Sequence, residues 1–305
     1  MLRPPVPVAT ISRRALVAGA AATLAVGSAH ASRVPPSDLR ILDWTFDDAW
    51  PFTRRALVAV PTHLGEGRRA PVLVLLHGLG EAKQGPESGV FAWLDRYGMG
   101  SSYARLRQPP LASTHKRRDL TDARAKELTE ELARRPLGGL VLVCPFTPNV
   151  WSFKSTELAL DHFASFIRGP LLDRVAKEVP EADPSRIGLD GCSLGGFVAL
   201  EVAKRRPDGW GSLGVVQPAI SERKVGEYAE LLAGAARDDK TRVHVESSTY
   251  DPYLRVSRLL HEGVVAKGAR AELIVPPGPH DQPFLRDVGT LEMLLFHDRA
   301  LRAGS

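Results

Sequence analysis

Short, unbroken apolar runs recur along the chain at residues 72–76, 140–143 and 213–216, with related runs at 186–190, 242–245 and 271–275. Each ends in a loop of Gly, Pro, Cys or Asp, and most give way to a stretch with helical spacing. A strand covered on only one face alternates apolar with polar residues, so a continuous apolar run indicates a strand buried on both faces. Strands that alternate with helices indicate parallel βαβ units. The helical stripes are present: Phe163, Phe166 and Ile167 fall together in 161–167, and in 196–204 Phe197 pairs with Leu200 and Val198 with Val202. Further helices are expected over 254–267, from about residue 283, and at the C-terminal end. Residues 44–47 and 55–61 look like antiparallel strands at the leading edge. The expected fold is therefore one α/β domain with a mostly parallel, doubly wound sheet and helices on both faces. In such sheets ligands bind beyond the carboxyl ends of the strands. Residues 81–138 are long for one crossover, and 98–115, where periodicity is weak, are expected to fold over the mouth of the site or to form a plain surface insertion.

Composition narrows the class without changing that picture. A chain of 305 residues is ordinary for a single large α/β domain, and 44% apolar with 25% charged residues is too apolar for a disordered chain. The net charge is +5, but Arg3, Arg13 and Arg14 account for three of those charges in a 31-residue stretch without an acid, which leaves +2 on the rest. The remaining basic residues are interleaved with acids. Nucleic-acid binding needs a concentrated basic stripe, so none is expected here.

The first residues read as an export signal. Arg13-Arg14 precedes an uncharged small and apolar run over 15–26, too short for the roughly 20 residues that span a bilayer. Ala29-His30-Ala31 then supplies an A-x-A cleavage pattern. The expectation is a cleaved twin-arginine-type signal at 1–31, handled transiently by the twin-arginine export machinery, and a single catalytic domain at 32–305. A general secretory signal is the alternative. No later segment is long and apolar enough for a stable membrane anchor, so the expected location is periplasmic or secreted. Cys144 and Cys192 are too few for a disulfide framework. They are expected as reduced core residues on strands separated by the one ending at His77.

The chemistry is concentrated in Gly191-Cys-Ser-Leu-Gly195, a G-x-S-x-G directly after an expected strand and directly before a helix. That context is what a nucleophile elbow requires, with Ser193 on a sharp strand-to-helix turn. A serine hydroxyl needs a base and a group to orient that base, in the chain order Ser, Asp or Glu, His. His280 sits in the loop after the last apolar run, whereas His244, His261 and His297 fall inside a strand and two helices and read as structural. Asp251 lies in the loop after the penultimate strand, where it could also serve as a helix N-cap before Pro252. Glu246, nearer the strand end, is the alternative acid, and Asp281 adjoins the base too closely to fold back onto it. The oxyanion hole is expected from the backbone amides of Leu194 and of Leu79, or otherwise Gly78, in His77-Gly-Leu-Gly80. His77 itself reads as a structural hydrogen-bonding residue. No H-E-x-x-H, His/Cys cluster or phosphate-cradling glycine loop occurs, so neither metal nor cofactor is expected.

At residues 161–220 the sequence resembles the esterase D group of α/β-hydrolases, through Phe166-Ile-Arg-Gly-Pro-Leu-Leu, Ile187-Gly-Leu-Asp-Gly-Cys-Ser-Leu-Gly-Gly and Arg206-Pro-Asp-Gly-Trp. The resemblance extends over about 57–301. It implies the α/β-hydrolase fold, Ser193, Asp251 and His280 as the triad, and an esterase-like activity on a small-molecule or polymeric ester. The chain departs from the group at Cys192, where such elbows often carry histidine, and in its long segment before Leu140. A thioesterase, amidase or acyltransferase would use the same triad. A binding protein that keeps the fold without turnover is the reading from another class.

Overall fold

The apolar runs become strands of one eight-stranded sheet in the computed structural model, which describes residues 38–46, 54–237 and 241–302. The expected signal at 1–31 lies outside the described residues. In chain order the strands are β1 (Leu39–Phe46), β2 (Arg54–Pro61), β3 (Ala70–Leu76), β4 (Val141–Pro145), β5 (Ala182–Gly191), β6 (Ser212–Val216), β7 (Arg242–Glu246) and β8 (Ala271–Ile274). Their spatial order is β1-β2-β4-β3-β5-β6-β7-β8. The first two strands pair antiparallel at the leading edge, as their pattern predicts, and β2 also meets β4 antiparallel. Every pairing from β4 through β8 is parallel.

Between β3 and β4 lie α1 (Leu79–Ala82), α2 (Pro86–Gly89), α3 (Met99–Arg107) and α4 (Asp122–Arg134); between β4 and β5, α5 (Thr156–Phe166) and α6 (Leu172–Glu178). Single helices α7 (Leu194–Arg205), α8 (Glu222–Ala235) and α9 (Leu254–Ala266) link the later strands, and α10 (Gln282–Phe284) and α11 (Thr290–Arg302) follow β8. Thr121 and Ser155 cap α4 and α5, each side chain accepting a free amide of the first turn.

All seven residues of β3 are buried, because its two faces feed two cores. Val72, Val74 and Leu76 join the layer built from α5 to α9. Leu73 and Leu75 join the layer of Trp93, Met99, Tyr103, Leu128 and the α11 leucines. Each such aliphatic side chain contributes about 1.5–3 kcal/mol on burial. The segment 81–138 therefore builds most of one covering layer: Met99, Tyr103 and Leu106 of α3 are buried under the sheet instead of folding over the mouth of the site.

Cys144, on β4, and Cys192, directly after β5, are free and buried, on either side of β3. Burial pushes both thiols up, so they stay protonated. The connection after β3 runs to β4 on one side and that after β5 to β6 on the other. This reversal opens a crevice where the loops that follow β3 and β5 diverge.

Candidate active site

Ser193 occupies that crevice at the turn from β5 into α7, with φ 54° and ψ −116°. Such a backbone is strained for a non-glycine residue and persists only where its surroundings over-determine it. Here Cys192 N donates to Leu76 O (3.0 Å) and Ser193 N to Val216 O (2.9 Å), which pins the turn between β3 and β6. The flanking glycines make the turn possible by close approach. A Cβ on Gly191 would overlap the Gly195 carbonyl, and one on Gly195 would overlap the Leu76 carbonyl.

His280 reaches Ser193 from the loop after β8, with Nε2 3.0 Å from Ser193 Oγ. Its Nδ1 lies 2.9 Å from Asp251 Oδ1. The Asp251 oxygen accepts, so the ring proton is assigned to Nδ1 and Nε2 is left to accept from the serine. Asp251 is buried and saturated: Oδ1 also takes the Tyr253 amide (3.0 Å) and Oδ2 the Ser247 hydroxyl (2.6 Å). It thus organises the turn into α9 while it holds the imidazole. Tyr253 packs its ring against His280 at 5.5 Å between centroids.

The alternative acids lie elsewhere. Glu246 is fully buried toward α11, with neither oxygen hydrogen-bonded. Burial, with Glu292 and Asp190 nearby, pushes its carboxyl well up. Asp281 turns away from His280 to cap α10 through the Phe284 amide (2.9 Å) and to pair with Arg117 (2.7 Å). Three other histidines are structural in their surroundings: His261 bonds the Ala271 carbonyl, His244 stacks on Phe296, and His297 bridges Ser212 and Asp190 inside the core.

Leu79 and Leu194 are each the first residue of a helix, so their amides have no intrahelical partner and can serve an anion. The Gly78 amide is already committed to Tyr97 Oη (3.0 Å), which removes Gly78 from the oxyanion choice. His77 frames this loop. Its Nε2 accepts the Thr147 amide (2.9 Å), so Nδ1 carries the proton and donates to Gly78 O (3.1 Å). Burial pulls its imidazole down to about 4, which keeps the ring neutral in that role.

Leu79, Glu81, Tyr97, Gln217, Asp281 and Gln282 help to wall an open cleft of ≈ 150 Å³ over Ser193. Sequence reasoning missed several of them. Gln217, held at φ 47°, donates to Ser248 Oγ (2.7 Å) and Pro279 O (3.1 Å), tying the end of β6 to the loops that carry Asp251 and His280. Its only sequence signal is a polar residue directly after a buried strand.

No protein-family model matches the chain, and no curated protein matches it in sequence. Solved structures do match. A ferulic acid esterase is 16% identical at TM-score 0.61, covering 87% of this chain and 99% of that one. An S-formylglutathione hydrolase from Agrobacterium tumefaciens is 16% identical at TM-score 0.58, covering 87% and 96%. A fluorophosphonate-binding serine hydrolase from Staphylococcus aureus is 12% identical at TM-score 0.56, covering 85% and 98%. At such identities the likeness is one of fold: this chain has the α/β-hydrolase fold, as its motifs and strand pattern predict.

Proposed function

We propose that the protein is a serine hydrolase that cleaves a carboxylic ester through an acyl-enzyme, with Ser193, His280 and Asp251 as its triad. The observation that carries this reading is the continuous hydrogen-bond chain from Ser193 Oγ through His280 to Asp251, with the serine on a strained turn. Ser193 Oγ attacks the ester carbonyl as His280 Nε2 takes its proton, and Asp251 stabilises the imidazolium without becoming protonated. The oxyanion falls to the amides of Leu79 and Leu194, each worth about 3–4 kcal/mol in such sites. His280 then protonates the leaving alcohol, and water takes the alcohol's place to release the acid.

Several similar structures are named esterases, and others are named S-formylglutathione hydrolases, which act on a thioester. Thioesters are therefore the second substrate class to test. The cleft is smaller than the roughly 300–1,000 Å³ of most ligand pockets, which favours a compact acyl group with the remainder of the substrate outside. The Arg13-Arg14 pattern and the A-x-A at 29–31 support export by the twin-arginine route to the periplasm or medium.

The test is fluorophosphonate labelling beside a nitrophenyl ester and thioester series of increasing acyl length. Labelling at Ser193, lost in Ser193→Ala, with turnover greatest for short acyl groups, is expected. An intact protein that neither labels nor turns over any member would be a non-catalytic bearer of the fold.

A further inference from the structure

We infer that Tyr97, braced by Glu81 and Gln282, is a positioning residue that sets the oxyanion amide of Leu79; this rests on the hydrolase reading above. Tyr97 follows the turn at Ala92–Arg96 and belongs to none of the catalytic motifs. Its ring is buried edge-on against Trp93, at 5.0 Å between centroids. The hydroxyl accepts the Gly78 amide (3.0 Å) and donates to Glu81 Oε2. Glu81 Oε1 in turn accepts from Gln282 Nε2 at 2.8 Å. A backbone N–H can only donate, so the direction of the chain is fixed: Gly78 to Tyr97 to Glu81, with the Gln282 side-chain N–H donating from the other end. Burial, with Cys192 and Glu81 nearby, keeps the phenol protonated by pushing it well above its ordinary range.

The reason this matters lies in the two peptide planes that meet at Gly78. The preceding plane carries the Gly78 amide, and the following plane carries the Gly78 carbonyl and, on its opposite edge, the Leu79 amide. Glycine has no side chain to limit rotation between them. His77 and the Ala82 amide hold the carbonyl, and Tyr97 holds the preceding amide. The loop lies directly against the nucleophile, since a Cβ on Gly78 would stand 3.6 Å from Ser193 Cβ. Gln282 is two residues past His280, so the same chain ties the oxyanion loop to the loop of the base. Loss of the Tyr97 hydroxyl leaves only the carbonyl side of Gly78 held, by His77 and the Ala82 amide, and with the preceding plane released the Leu79 amide shifts off the position where negative charge develops. Substrate binding does not depend on that amide to the same extent, so the effect falls on turnover.

Tyr97→Phe deletes one oxygen and keeps the ring. On one activated ester it is expected to lower kcat by about 10- to 100-fold, less than outright removal of an oxyanion donor, while KM stays within about twofold. A trifluoromethyl ketone, which adds to the serine as an oxyanion, is expected to lose affinity by the same factor. Glu81→Gln keeps an acceptor for the phenol and is expected to retain more kcat than Glu81→Ala, a comparison that decides the matter if Tyr97→Phe does not fold. Wild-type kcat and ketone affinity in Tyr97→Phe, or in Glu81→Ala, would overturn the inference and leave the hydrolase reading intact. Absence of turnover and of ketone binding in the unaltered protein would overturn both.

Discussion

His77 Nδ1 stands 3.1 Å from the carbonyl oxygen of Gly78, the residue that follows it in the chain. The contact requires a neutral ring, because Nε2 faces the Thr147 amide and a second ring proton would set donor against donor. Burial lowers the imidazole from 6.5 to about 4. The unfolded chain therefore binds a proton that the folded protein refuses, and this contribution to stability is complete above pH 6.5 and is lost as pH falls toward 4. Its size is roughly 3 kcal/mol. His77→Asn should be less stable at pH 7 but flatter over that window. Urea midpoints at pH 7, 5.5 and 4 check this, and parallel slopes for the two proteins would rule it out.

Glycines offer a contrast within one fold. Gly195→Ala places a methyl group into the Leu76 carbonyl, and both partners are backbone that cannot turn aside. Overpacking of this kind costs about 1–3 kcal/mol, a fall of roughly 2–10 °C in Tm for a domain of this size. Gly226→Ala, in the interior of α8 with nothing within 4 Å, should instead raise stability by about 0.4–1 kcal/mol. Thermal unfolding of the two variants checks the opposite signs.

Much of this was legible in the sequence because it rests on local pattern. The apolar run 72–76, ending at a glycine-rich loop, indicated a doubly covered strand, and Ser193 was marked by its glycines between a strand and a helix. His280 and Asp251 followed from their loops and chain order, and the structure brings both to the serine. The groups around them carried no pattern. Tyr97 meets Gly78 across 19 residues, and Gln217 meets Pro279 across 62, so neither contact leaves a trace in spacing. The buried helix within 98–115 was hidden for a physical reason. The stripes of α3 and α4, Met99, Tyr103 and Leu106 and then Ala125, Leu128 and Leu132, are helical, but each is short: positive-φ Gly98 breaks the chain before the first, and a proline-containing loop separates the two. Read as separate short helices, they would have predicted a covering layer.

The last prediction separates the two acids at the end of β7. Asp251 is held by Ser247 and the Tyr253 amide with one oxygen on His280 Nδ1, whereas Glu246 points into the core with both oxygens unbonded. If the charge on Asp251 orients and stabilises the imidazolium, Asp251→Asn should fold, since an amide can still accept from Tyr253, and lose turnover by about 10⁴ as in the serine-protease template. Glu246→Gln replaces a carboxyl whose pKa burial has already raised with a neutral group of the same shape, so its turnover should stay within about threefold of the unaltered protein. Ser193→Ala should cost at least as much as Asp251→Asn, and the double variant little more, because triad members act as one unit. Values of kcat/KM for the four variants on one activated ester decide the assignment: a large loss in Glu246→Gln with Asp251→Asn nearly intact would move the acid from the loop to the strand end.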